Sequence, residues 1–555
     1  MVGSSSGELR IENHRNEFSF ELTKLDGKIL SFHDLRALTF FVIAFCQDLS
    51  SISLEGFKQL ISLKSLEIKH CKKLFSVVPL EQIHEDTADA SFNAFPSLEY
   101  LKIESSGIAG KWLSVMLRHA PALQELHLRS CQQISGLLME GKENSLSSSS
   151  APPRNPDDAL TSSTPDGLLC IPSNLIPSLK KMLVVGCPDL TFEMSKEGFS
   201  GFTSLEELTI SNCPELVPSL VHKDENNDQG NGRWLLPHSL VKLRFDDDTT
   251  ETLQLCFQEN RNCLKELEVT ASPSLKCLQL HSFTALEELS IEECESLADL
   301  DGISTCLKTL ILSLNRSLKS LQLRSCTALE KLSIEKCESL AELEGNSTWL
   351  KELELSNNQS LKSVQLHCCT ALEELEIRRC HLLAALEGLQ SLSGLRQLRV
   401  SDCPGLPPCL ECLPSTRGYE LFPRLEILEI DDHSFLTTSF CTHLTSLQRL
   451  EIWDCKEVRI LTDEQEAAFL FLKSLKELSV LRCENLEHLP LGLHSLRSLK
   501  RLEIYNSPCI SWLLTVLPLS LEELEVTGCS MELTERCRML ATDKLKVKIG
   551  GRYVN

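Results

Sequence analysis

Aromatic side chains make up only 5% of this 555-residue sequence, so a large core has to be built mainly from aliphatic residues. Basic residues are scarce too: 55 Lys and Arg face 78 Asp and Glu, for a net charge of −23. That balance argues against nucleic acid or an anionic membrane as the main partner, because both are held by clustered cations. Long hydrophobic runs are missing. The most apolar stretch, Ala37 to Phe45, falls far short of the roughly 20 residues that span a bilayer. The first residues also lack the basic-then-apolar order of a secretion signal. A cytoplasmic, or else nuclear, chain is expected, in a reducing compartment that keeps the 25 cysteines as thiols.

Catalytic and cofactor motifs are absent as well. The sequence holds no Gly-x-x-x-x-Gly-Lys-Ser/Thr loop, no His-Glu-x-x-His, no Gly-x-Ser-x-Gly and no Gly-x-Gly-x-x-Gly. A structural zinc site needs four ligands, usually two Cys-x-x-Cys pairs; Cys409 and Cys412 form a single pair in a proline-rich loop. No enzyme activity, cofactor or metal is expected.

What the sequence has in abundance is leucine at fixed intervals. A template Leu-x-x-Leu-x-Leu-x-x-Cys-x-x-Leu starts at Leu63, Leu123, Leu205, Leu286, Leu329, Leu372, Leu395, Leu447, Leu475 and Leu521, with weaker copies at Leu38, Leu98, Leu179, Leu240, Leu264, Leu307, Leu350, Leu425 and Leu499, about nineteen units in all. A longer period overlies it. Ser274, Ser317 and Ser360 open near-copies 43 residues apart, and the first two agree at 22 of 29 positions. This is the leucine-rich-repeat pattern. It predicts an α/β solenoid: curved, with short parallel strands on the concave face and turns with short helical pieces on the convex face. One unit cannot bury its leucines alone, so stacking supplies the core.

The rhythm implies leucine-rich repeats over 1–136, a disordered or low-complexity insertion over 137–178, a main array over 179–533 with the double repeats at 274–402, and a closing cap over 534–555. Two further polar excursions, EQIHEDTADA and HKDENNDQGNGR, interrupt the units.

Position 9 of the template, counting the first leucine as 1, turns inward after the strand. Cysteine fills it at Cys46, Cys71, Cys131, Cys187, Cys213, Cys294, Cys337, Cys380, Cys403, Cys455, Cys483 and Cys529, and asparagine at Asn315 and Asn358. A small, weakly polar thiol or an amide suits a slot that meets backbone groups of the neighbouring turn, and a buried thiol there should be unreactive. Asn315, Asn358 and Asn346 also head Asn-x-Ser/Thr sequons, which read as accidental because the inward slot of the first two has no room for a glycan and no secretion signal is seen to send the chain to where glycans are added.

Strand side chains alternate, so positions 5 and 7 face the concave surface. Position 5 is often acidic: Glu67, Glu268, Glu354, Glu376, Glu429, Glu451, Glu503 and Glu525. Solubility explains this, or else a negative trough for a basic partner. At position 7 the later units carry Asp431, Trp453, Leu481 and Tyr505, flanked by Arg449, Arg482, Arg501 and Asp454. Side by side on adjacent strands these would form an apolar stripe of the residue types that dominate interfaces, unless a neighbouring segment covers them. The stripe is the candidate protein-binding site.

The phrases FPSLEYLKI, SLEELTISNCPEL, LRQLRVSDCPGL and LPLSLEELEV, with the opening GELRIENHRNEF, make nearly the whole chain resemble the leucine-rich-repeat region of plant intracellular immune receptors, the nucleotide-binding leucine-rich-repeat class, most like those of grasses. The resemblance implies pathogen perception: binding an effector or a host protein and restraining a nucleotide-binding module in the same or another chain. That module is not in this sequence, so nucleotide binding is not implied. A stand-alone scaffold, such as a ubiquitin-ligase substrate adaptor or a decoy, is the alternative. A chain that begins inside the array is expected to leave its first repeat uncovered.

Overall fold

The structure is a computed structural model that describes residues 2–5, 7–12, 23–26, 29–52, 54–75, 95–140, 166–192, 198–219, 236–246, 263–344, 347–411, 421–455, 458–510 and 517–554. It divides into two compact units, Met1–Leu275 and Lys276–Asn555. The division falls inside the repeats and not at the insertion.

Each of the nineteen template starts is followed, two residues on, by a strand of four or five residues. In the first unit, parallel strands pair in the order Glu8–Glu12, Phe40–Ala44, Ser65–Lys69, Tyr100–Glu104, Glu125–Arg129, Lys181–Val185, Glu207–Ser211, Lys242–Asp246 and Glu266–Thr270. In the second, they run Glu288–Glu292, Thr309–Ser313, Lys331–Glu335, Glu352–Ser356, Glu374–Arg378, Gln397–Ser401, Ile427–Ile430, Arg449–Trp453, Glu477–Leu481, Arg501–Tyr505, Glu523–Thr527 and Lys546–Ile549. The register matches equal template positions across every pair, so the leucine columns are continuous. Leu286, Leu289 and Ile291 are at most 1% exposed, and the other residues of these columns are buried as well. This is the burial that makes stacking favourable.

Each end of the ladder carries a further parallel strand beyond the template, with an antiparallel partner. Glu8–Glu12 heads the first ladder, and Val2–Ser5 pairs antiparallel along it after the chain reverses at Gly7, whose φ is +94°. This corrects the expectation of an uncovered first repeat: Leu9 and Ile11 are 3% and 7% exposed. Lys546–Ile549 adds a strand inside the expected cap, followed by an antiparallel partner, Arg552–Tyr553.

The return segments hold more than the turns expected from so few residues. A second, short parallel ladder forms in several places: Gly136–Met139 with Leu168–Ile171 and Thr191–Phe192, Cys277–Gln279 with Asp299–Asp301, and Glu342–Glu344 with Ser363–Gln365 and Ala385–Glu387. Leu278, Leu300, Leu343, Val364 and Leu386 point inward from it. Gly302 and Gly388 end two of these strands with φ of +72° and +82°; a Cβ there would stand 2.6 and 2.5 Å from the backbone nitrogens of His281 and His367. The longest helix among the described residues is Gly110–Arg118. Phenylalanines fill the interior on the return side, with Phe32, Phe57 and Phe95 in one chain of ring contacts at 6.3 and 5.1 Å.

Residues 141–165 of the expected 137–178 insertion lie outside the described residues, as do 76–94 and 220–235; both flanks of the insertion end in the short second ladder.

Candidate ligand-binding face

The slot at position 9 is built as its residue types require. Asn315 accepts the Cys294 amide through Oδ1 at 3.1 Å and donates from Nδ2 to the Ile291 carbonyl at 2.8 Å. Asn358 repeats this with the Cys337 amide at 2.9 Å and the Ile334 carbonyl at 2.8 Å. Both asparagines are 0% exposed, so their sequons are closed to a glycan in the folded chain. Cysteine makes a weaker form of the same bridge. The thiols of Cys71, Cys213, Cys380, Cys403 and Cys483 lie 3.7–3.8 Å from the carbonyls of Ile43, Val184, Leu355, Ile377 and Ile452 on the preceding strands. Burial raises the Cys337 thiol to about 12. No disulfide forms among the cysteines whose side chains are described. Ser106, Ser272 and Ser507 occupy the same slot in three further units and are buried; a template reading centred on Cys and Asn passes over them.

Just before the slot, position 8 adopts the left-handed conformation in unit after unit: Phe45, His70, Ser105, Ser130, Asn212, Ala271, Glu293, Leu314, Lys336, Asn357, Arg379, Asp402, Asp454, Arg482 and Asn506 all have φ between +47° and +59°. The turn aims the amide of that residue at the carbonyl of position 7 on the next strand, as Asp454 does to Leu481 at 2.9 Å and Arg482 to Tyr505 at 2.7 Å. Asp454 and Arg482, expected to flank the stripe, are thus turn residues just past the strand ends.

The solvent side of the strands is a grid of positions 3, 5 and 7. At the C-terminal end the register sets Trp453 opposite Leu481, and Leu481 opposite Tyr505, with Thr527 next. Trp453 and Leu481 are half-buried and Tyr505 is 37% exposed. Asp431 does not join this row, which corrects the expected placement. Its strand ends at Ile430, and its carboxylate accepts the Asp402 amide at 2.7 Å, standing in for the carbonyl that the next strand fails to offer. Burial pushes that carboxyl up to about 6, against the lowering effect of the amide. The unit lacks a position-9 cysteine, and Asp432 instead caps a short helix at His433–Phe435.

Beside the apolar row runs an acidic one, Glu429, Glu451, Ser479, Glu503 and Glu525 in register. Arg399 pairs with Glu429 at 2.9 Å and Glu376 at 3.4 Å, and Arg501 with Glu525 at 3.1 Å and Glu503 at 3.6 Å. Arg449 pairs with Glu477 at 2.7 Å. The two stripe arginines therefore lie beside the apolar row but are committed to neighbouring carboxylates. Glu451 has no ion-pair partner among the described residues, and its carboxyl is raised by burial first and by Glu429 and Glu503 next.

In the first unit the same grid holds Tyr100, Lys102, His127, Arg129 and Lys181. The Tyr100 hydroxyl meets His127 Nδ1 at 3.2 Å, while Nε2 is buried without a hydrogen-bond partner and the Glu125 carboxylate stands 3.6 Å away. Burial, then Lys181, Lys102 and Arg129, lowers the imidazole to about 4.

Cys412 lies outside the described residues, and no metal-holding group of His, Cys, Asp and Glu occurs among those described. Nor is any helix among them long and apolar enough to cross a membrane.

Strand, left-handed turn, inward slot and return, repeated in register, define the class of the molecule: an α/β leucine-rich-repeat solenoid. No family model and no curated protein matches the chain. Among solved structures it is similar to a chain in a crystal structure of a TLR13-ssRNA13 complex, at 16% identity, with 95% of this chain and 90% of that chain covered and a TM-score of 0.30. A likeness at that score says nothing about what this chain binds; the RNA belongs to that complex.

Proposed function

We propose that the chain is a protein-recognition module without catalytic activity, the sensing part of a plant intracellular immune receptor, which binds a pathogen effector or a host protein and restrains a nucleotide-binding module. The observation that carries the binding reading is the row Trp453, Leu481 and Tyr505, held in register on a rigid ladder next to a row of carboxylates. Large, partly exposed aromatic side chains on rigid strands lose little entropy on association and anchor interfaces. What supports the immune role is the set of repeat phrases shared in kind with that receptor class.

The test of the binding reading is the double substitution Trp453→Ala and Tyr505→Ala. Affinity for a protein partner should fall at least tenfold while the thermal midpoint moves little, since both side chains lie on the solvent side. Unchanged affinity at an identified partner would remove the row from the interface. The receptor reading is tested by the mass of the endogenous protein: peptides upstream of Met1 that carry a phosphate-binding loop are expected, and a band at 62.2 kDa would overturn it.

A further inference from the structure

The apolar and acidic rows on the C-terminal strands run the same way, across the strands, and their spacing and charge restrict what fits them. The five strands from Ile427–Ile430 to Glu523–Thr527 present six carboxylates at positions 3 and 5 (Glu429, Glu451, Glu477, Glu503, Glu523 and Glu525) against two guanidiniums, Arg449 and Arg501. Both guanidiniums are paired within the face. Arg399 and Lys548 on the flanking strands also pair with Glu429 and Glu525, yet the surplus is still negative, and Glu451, which sits next to Trp453 on the same strand, has no ion-pair partner among the described residues.

Spacing selects the occupant's secondary structure. Neighbouring strands stand about 4.8 Å apart, so Trp453, Leu481 and Tyr505 offer one apolar contact every ~4.8 Å. An α-helix laid along the row presents one side chain per turn, every ~5.4 Å, and drifts only ~1.2 Å over the three strands. An extended segment repeats a side on every second residue, at ~6.8 Å, and drifts about 4 Å over the same span. The two parallel rows correspond to two adjacent ridges of a single amphipathic face.

We propose that the partner docks here with an amphipathic α-helix, its apolar ridge along Trp453, Leu481 and Tyr505 and its neighbouring ridge carrying Lys or Arg over Glu429, Glu451 and Glu503. This rests on the protein-recognition reading above and specifies it.

The experiment uses the full chain and three synthetic helix-length peptides. The first has leucine on one ridge and lysine on the next. The second has the same composition, shuffled so that no face forms. The third keeps the leucines and replaces lysine with glutamate. Titration calorimetry should show the first binding, the second at least tenfold weaker, and the third not binding. Trp453→Ala with Tyr505→Ala should weaken the first peptide at least tenfold. Glu451→Gln, which keeps size and polarity, should weaken it severalfold and flatten its salt dependence. Equal binding of the shuffled peptide, or binding of the first peptide that ignores both variants, overturns the helix. If an identified protein partner depends on Trp453 and Tyr505 while the first peptide fails to bind, the helix falls and the recognition face stands. If that partner ignores the row, the recognition reading itself falls.

Discussion

Asn315 shows what a single residue contributes to a repeat. Its amide satisfies one buried donor and one buried acceptor of the unit before it, and each such group left unpaired costs about 1–3 kcal/mol. Asn315→Ala should therefore destabilise the second unit by roughly 2–4 kcal/mol, and Asn315→Cys by clearly less, because a thiol keeps a weak donor in the slot. Urea denaturation checks both; equal losses would mean that the slot is filled for volume alone. His127 makes a prediction about pH. Its folded value, about 4, lies below the ordinary imidazole value, so the unfolded chain binds more protons between the two. Stability is fully present above about pH 6.5 and is lost as pH falls toward 4. With the ring only partly buried and its charged neighbours screened, the loss should be about 1 kcal/mol. His127→Gln should remove that part of the acid sensitivity, and a variant with the same pH profile as the natural protein would remove His127 as its source.

The recurring element is the strand followed by its left-handed turn. A non-glycine residue in that conformation is strained by about 1–2 kcal/mol, and the ladder tolerates it because the turn's amide reaches the next strand. Glu293 is the clearest place to measure the strain: φ is +56°, the side chain is exposed, and the amide donates to the Ser313 carbonyl at 2.9 Å. Glu293→Gly should raise stability by roughly 0.5–1 kcal/mol, whereas Glu293→Val should lower it because β-branching fits that region poorly. A denaturation midpoint unmoved by either change would show that the ladder relaxes the turn. The left-handed column was not legible in the sequence. Gly186 and Gly528 mark it in two units, with φ of +64° and +67°, but elsewhere its residues include Phe45, Leu314 and Arg379 alongside asparagines, without the glycine that usually marks such a conformation, because the constraint comes from the neighbouring strand's carbonyl. The second ladder escaped for a related reason: a three-residue strand such as Glu342–Glu344 carries too short an alternation to be told from a turn.

At the scale of the whole molecule, cohesion passes from unit to unit. Leu289 is 1% exposed, and Leu289→Asp places an unpaired charge in the leucine column, a cost of several kcal/mol. Hydrogen exchange should then show protection lost most in Thr309–Ser313 and Lys331–Glu335 and least in Lys546–Ile549, since each repeat is stabilised chiefly by its neighbours. Uniform loss across the second unit would mean that it unfolds as one body.

The leucine template by itself determined the number and starts of nineteen strands, which side of each strand is buried, and the inward role of the Cys and Asn slot, because period-two alternation and a repeating unit leave a single way to bury the leucines. It also set Trp453, Leu481 and Tyr505 at one template position. Tertiary structure decided the rest. Asp431 shares that position, yet it turns back to the Asp402 amide because its strand ends a residue early. Arg449 and Arg501 are held by carboxylates on the neighbouring strands, while Glu451 has no ion-pair partner among the described residues. Such pairings join residues more than twenty positions apart in the chain, and only the register between strands brings them within reach of one another.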